Sequence, residues 1–175
     1  MKKIMIIIAL TFSGISFAQE SEISLDPLFK VEVGLHGFGI AYELPLAEKF
    51  SIDLSTGMGG QNRDAGYTLS NNEKLSFFGK SEIKYFYNRQ KRLDKKRRLA
   101  NNAGAFIAFQ TKFNSNTPEY GSALLNEIHW GKQLPLGDKI LIQFHFGLGY
   151  YRDFGKSDTR TLYPATGLKF SYILF

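Results

Sequence analysis

His129 and His145 carry the most evident chemical potential in this chain, two imidazoles on stretches that read as neighbouring strands, with His36 beside an earlier turn. An imidazole can ligate a metal or act as a general base. A metal ion would need a third ligand, and Glu127 or Asp53 would have to supply it. No spacing among these residues forms a recognised metal motif, so interior histidines that only hydrogen-bond are expected, with no metal and no cofactor. Acyl hydrolysis or transfer would need a serine nucleophile, a histidine base and a carboxylate. His129 is followed by Trp130-Gly131 and His145 by Phe146-Gly147, which leaves no local His-x-Ser arrangement. Ser122 and Glu127 share a strand with His129 but on mixed parities. The expectation is no catalytic residue and no enzyme.

These side chains are positioned by segments of period-two alternation. In residues 134–151, Ile140, Ile142, Phe144, Phe146, Leu148 and Tyr150 fall on one parity and Gln143, His145, Gly147 and Gly149 on the other. That is a β-strand with two unlike faces. At ~3.3 Å per residue and a tilt of ~40°, residues 139–150 cover roughly 28 Å, close to the ~25 Å apolar band of an outer-membrane barrel. The same alternation recurs from Phe29, from Phe38 after a two-residue turn at His36-Gly37, and from Phe50. It returns over residues 75–87, from Asn102, from Leu124, and from about Leu162 to the end. Eight strands result and no segment reads as a helix. Residues 44–59 and 134–149 share the pattern LPLxxKxxIxxxxGxG, explained by duplication or by like turns between like strands. Residues 61–73, 114–120 and 152–161 read as polar loops.

Alternation does not say which face is inside. The less apolar parity is rich in small residues, which suit a crowded eight-stranded interior. Its charges are mixed in sign: Glu32, Glu43, Asp53, Glu82 and Glu127 with Lys80, Lys84, Lys112 and Lys169. Together with His129 and His145 they predict a polar network filling the lumen, because unpaired charges in a low-dielectric interior are costly. Tyr85, Tyr87, Trp130, Tyr150, Tyr151, Tyr163 and Tyr172 suit interfacial girdles. By this reasoning Phe146→Arg, on the lipid side, would be costly and Gly147→Ser, on the lumen side, mild.

With 43 % apolar and 15 % aromatic residues, the chain is not a disordered one. Residues 1–18 read as a cleavable signal peptide: Lys2 and Lys3, an apolar run, then Ser16-Phe17-Ala18. Residues 19–28 follow as an N-terminal periplasmic segment, and residues 29–175 as the barrel. There is no cysteine, so disulfides and a thiol-attached lipid are excluded. The net charge of +6 falls to +4 without Lys2 and Lys3, and residues 89–98 account for +6, leaving −2 elsewhere. The basicity is local to Arg89, Lys91, Arg92, Lys95, Lys96, Arg97 and Arg98. It reads as a solvated periplasmic turn near anionic headgroups, or as a dock for an acidic periplasmic or cell-wall partner, and not as a nucleic-acid surface.

The C-terminal LKFSYILF resembles the last strand of outer-membrane barrels, in which Tyr172 and Phe175 would be read by the barrel-assembly machinery. Counting back from Phe175, Ile173, Ser171 and Lys169 depart from the usual apolar alternation, whereas Leu174, Tyr172, Phe170 and Leu168 form the better lipid face. The terminal register stays open between these parities. With EIKYFYN before the basic run, Trp130-Gly131 and the Gly147–Tyr150 run, the whole chain resembles small OmpA/OmpX-type barrels of Gram-negative outer membranes, including a group of uncharacterised barrels of this size. The resemblance implies an all-β, eight-stranded antiparallel up-and-down transmembrane β-barrel with periplasmic termini. Lipid, lipopolysaccharide and the assembly machinery would be its partners, in a structural or interaction role. A narrow gated channel and a lipid-modifying acyl hydrolase or transferase are the alternatives.

Overall fold

The computed structural model describes residues 23–35, 37–59, 76–116, 121–155 and 160–175. The expected signal peptide, His36 and the loop at residues 61–73 lie outside the described residues. Eight strands follow one another: β1 (Leu28–Gly34), β2 (Gly37–Ala47), β3 (Phe50–Gly59), β4 (Ser76–Tyr85), β5 (Gly104–Asn114), β6 (Ala123–Leu136), β7 (Ile140–Asp153) and β8 (Arg160–Ile173). Each pairs antiparallel with its neighbour in sequence, and β8 returns to pair with β1 from Lys30↔Ile173 to Gly34↔Lys169. The sheet closes into an up-and-down barrel with no free edge.

The faces follow the alternation. Val31, Ile40, Leu54, Ile83, Phe109, Ile128, Phe146 and Leu148 point outward, and Leu148 is 72 % exposed. Lys30, Glu43, Asp53, Glu82, Lys84 and Glu127 point inward and are buried. The apolar residues are on the outside and the charges inside.

The first hairpin turns one residue earlier than expected. Gly34 pairs with Gly37 and Val33 with Phe38, so the turn comes one residue earlier than His36-Gly37. A glycine suits this turn, because Gly37 has φ +122° and its ideal Cβ would run into the Met58 carbonyl. The pairing moves by two positions relative to Leu35 beside Phe38, which leaves every side chain on its expected face. The barrel is lowest at β1, with 7 residues, and tallest at β6, β7 and β8, with 14 each. In β8 the open register is decided: Leu168, Phe170, Tyr172 and Leu174 face outward, while Ser171 and Ile173 are buried. Ile173 packs with Leu28 and Leu141, and Phe175 stacks its ring 5.1 Å from Phe29.

Two expectations need correction. The basic run contains a helix, α1 (Arg89–Asp94), supported by an i,i+4 hydrogen bond from Gln90 Nε2 to Asp94 Oδ1 at 3.0 Å. Nor is the run wholly solvated. Arg89 is 1 % exposed and donates to the Ile23, Ser24 and Leu99 carbonyls. Asn102 holds Asp26 through two main-chain hydrogen bonds, at 2.7 and 2.9 Å. Leu25 is thereby seated on Phe86, Phe106 and Ala108, and this apolar group closes the end of the barrel at which β1 begins and β8 ends. Alternation does not report α1 because a six-residue helix is held by these end contacts and not by an amphipathic face.

Tyr151 and Tyr163 are the other correction. Both were expected in an outer girdle, but they are buried with Ala123, Leu125 and Ala165 on the inward face, towards the opposite end.

Candidate functional site

The inward face of β1 to β4 builds one half of a charged interior. Lys30 Nζ lies 2.8 Å from both Glu43 Oε2 and Asp53 Oδ2, and Lys84 Nζ lies 3.0 Å from Asp53 Oδ2 and 3.4 Å from Glu43 Oε2. Ser51 Oγ donates to Glu43 Oε1 at 3.0 Å. Above them, Glu32 takes Lys169 at 2.9 Å and Lys80 at 3.3 Å. Lys112 sits 4.6 Å over the Phe78 ring. The expected carboxylates and lysines therefore do share one interior, in which Lys80, Lys84 and Lys169 are each set against a carboxylate and Lys112 against an aromatic ring.

The second half centres on β6 and β7. Glu127 and His129 are two residues apart on one strand and point the same way. His145 belongs to the adjoining strand, where Gly147 is the direct partner of His129. Without a side chain at 147, the His145 ring leans across and stacks on His129 at 4.2 Å between centroids. Each imidazole turns one nitrogen to the same oxygen. His129 Nδ1 is 3.6 Å and His145 Nε2 3.8 Å from Glu127 Oε2.

The surrounding groups fix this arrangement. His129 Nε2 lies 3.1 Å from Glu82 Oε1 on the far side of β5. A carboxylate only accepts, so Nε2 carries a proton in this contact, and Nδ1 is the nitrogen turned to Glu127. Glu127 accepts from Tyr163 OH at 2.6 Å and from Gln110 Nε2 at 2.9 Å. Gln143 joins the two halves, donating to Glu82 at 3.2 Å and accepting from Lys84 at 3.3 Å. Beside the site is a cavity of about 30 Å³, lined in part by His145, Glu82, Gln110, Lys112 and Lys169 and reaching Gly34 and Gly37 at the rim. It has room for one or two waters.

The expectation that the chain has no enzymatic chemistry is corrected by this cluster. Glu127, His129 and His145 place three ligand atoms within 4.8 Å of one another, inside an extended buried ion-pair and hydrogen-bond network. That is a potential catalytic or binding site, which argues against a purely non-enzymatic role. Of the two carboxylates considered beside the histidines, Glu127 joins them, while Asp53 belongs to the Lys30–Lys84 group. His36 lies outside the described residues.

Several participants were missed. Lys30, Gln110, Gln133 and Gln143 all lie on the inward parity, and that shared parity was the available signal. Tyr163 had a weaker one, since its aromatic type suits either a girdle or a lumen. Phe106 lies across from Gly131 and fills the space a side chain there would take. Asn126, an irregularity on the apolar face, accepts from Thr111 Oγ1 at 2.9 Å and is thereby satisfied.

No known protein family, no curated protein and no solved structure matches this chain.

Proposed function

We propose that this chain is an integral outer-membrane β-barrel, exported through a cleaved signal peptide, whose lumen is filled by an ionic network with a ligand-binding cluster in its wall. The observation that carries the reading is the inverted distribution of side chains. A contiguous apolar surface larger than a few hundred Å² is rare on a water-soluble monomer. Here large apolar side chains are exposed on all eight strands, from Val33 on β1 to Leu162 on β8, the latter 76 % exposed. Closure satisfies the backbone at the same time, the condition for crossing a bilayer by strands.

Aromatic pairs near the strand ends support the same reading. Phe50 lies 4.8 Å from Tyr85 and Phe175 5.1 Å from Phe29, and Tyr87 OH accepts from Trp130 Nε1. An indole or phenol sits well where one end is apolar and the other wet. The plugged end, with the start of β1, the end of β8 and the exposed part of the basic run, would then face the periplasm. Its cations would lie against anionic headgroups or an acidic partner. Tyr172 and Phe175 would serve the assembly machinery, and lipid and lipopolysaccharide would surround the outer face.

The test is fractionation of a Gram-negative host expressing the full chain, with gel migration compared before and after boiling. An outer-membrane protein whose unboiled band runs differently is expected. A protein that stays soluble without detergent would overturn the reading. A narrow gated channel is the second reading, favoured by the cavity beside Lys80, Lys112 and Lys169 that reaches the rim. Conductance of the refolded protein across a planar bilayer separates the two: no steps for the filled lumen, discrete reproducible steps for the channel.

A further inference from the structure

We infer that Glu127, His129 and His145 bind a divalent metal ion of the zinc class in the wall of the lumen. The inference rests on the ligand-binding cluster of the reading above and names its ligand; it needs the closed barrel but not its place in a membrane.

The donor set comes first. Two imidazole nitrogens and one carboxylate oxygen are borderline donors, the combination that suits zinc and its neighbours better than calcium or magnesium. A tetrahedral ion bound at ~2.0–2.1 Å needs donors spaced roughly 3.3 Å apart. Glu127 Oε2 stands 3.6 Å from His129 Nδ1 and 3.8 Å from His145 Nε2. All three ligand atoms lie within 4.8 Å of one another, so His145 has to turn out of its stack on His129 for the three to converge on one ion, and a fourth position would remain for water or a substrate.

The shell behind the donors carries the argument further. Glu82 accepts from Nε2 and orients the His129 ring from the opposite nitrogen, the carboxylate–histidine–metal arrangement that positions a ligating ring. Nδ1 of His129, in a side chain only 2 % exposed, makes no hydrogen bond among the described residues and is aimed at Glu127. The carboxylate is held in turn by Tyr163 and Gln110. The cavity adjoins the site: His145 lines it, together with Glu82 and Gln110, which hold His129 and Glu127.

The experiment uses the mature chain refolded in detergent and stripped with a chelator. Titration with Zn²⁺ should show one ion per chain, and Co²⁺ should give the intense visible bands of a tetrahedral site. His145→Ala should weaken Zn²⁺ binding by tenfold or more, and Glu82→Gln, through the outer shell, by about 10–100-fold. Each variant is checked for the heat-dependent gel shift of the folded barrel. Because any lumen variant can fail to fold, imidazole NMR signals of the unmodified chain give an independent reading: His129 and His145 should shift on Zn²⁺ addition while His36 stays still. Absence of stoichiometric binding, undiminished binding by a folded His145→Ala, or shifts confined to His36 would each overturn the inference.

Discussion

Tyr163 on β8 reaches Glu127 on β6 by lying flat across Gly149 on β7. Glu127 pairs with Gly149 and Gly149 with Tyr163, so the three form one row across adjacent strands. The tyrosine ring occupies the space in which a side chain at 149 would stand, and its hydroxyl donates to Glu127 Oε1 at 2.6 Å. The carboxylate of the cluster is thus held by a residue two strands away, through a gap kept open by the glycine between them.

Gly149→Ala is therefore expected to displace the Tyr163 ring and release Glu127. Overpacking of this kind costs about 1–3 kcal/mol. Urea unfolding of the refolded barrel should show the loss, and Tyr163→Phe, which keeps the ring and drops only the hydroxyl, should cost less.

Phe146 and Gly147 are neighbours on opposite faces of β7, and both are sensitive. Phe146→Arg places a charge on the outward apolar surface and should cost roughly 2–4 kcal/mol if that surface faces the middle of a bilayer. The expectation that Gly147→Ser is mild is corrected here, because a Cβ at 147 would run into the Ile128 carbonyl and the His129 Cα, which are backbone and cannot swing aside. Both variants should unfold at lower urea in lipid vesicles. Only Phe146→Arg should recover when vesicles are replaced by a water-soluble polymer belt that screens the outer face.

Lys30→Met should be among the most damaging single changes. It strips Glu43 and Asp53 of a cation 2.8 Å from each, and an uncompensated buried charge costs about 3–5 kcal/mol. Combining it with Glu43→Leu should restore part of the stability, since the lost partner is then also gone. A double-mutant cycle on unfolding free energies measures the coupling.

The basic run divides into a structural member and exposed ones. Arg89→Gln should loosen residues 23–27, read as faster proteolysis of that segment, because its guanidinium holds the Ile23 and Ser24 carbonyls. Glutamine at Lys91, Lys95, Lys96 and Arg97 should change stability by less than ~0.5 kcal/mol. Those four changes should instead weaken binding of the plugged end to anionic vesicles, by about 1 kcal/mol for each cation that lies near the surface. An unchanged set of co-purifying proteins would remove the idea of an acidic protein partner.

The strands were legible from sequence because alternation is a local property. Ile140 to Tyr150 on one parity and Gln143 to Gly149 on the other require a two-faced strand wherever it lies. The inward parity of the carboxylates, lysines and histidines could be read in the same way. What alternation leaves open is the shift between strands, since a slide of two residues preserves both faces. The position of the β1–β2 turn depended on that slide, whereas in β8 the open point was which parity faces outward.

Closure of the barrel decides it. Once β8 pairs with β1, the registers of all eight strands are tied together, and residues distant in sequence take fixed places across the lumen. Glu82 and His129, 47 positions apart and separated by β5, meet at 3.1 Å only under that constraint. Glu127 instead of Asp53 joins the histidines for the same reason. The end plug lies further from what the residues alone convey, because Arg89, Asn102 and Leu25 are ordered by carbonyls and aromatic rings that the closed barrel brings to one rim. Strand count and facing follow from the order of side-chain types along the chain, whereas the Glu127–His129–His145 cluster exists only because a closed sheet permits one set of registers.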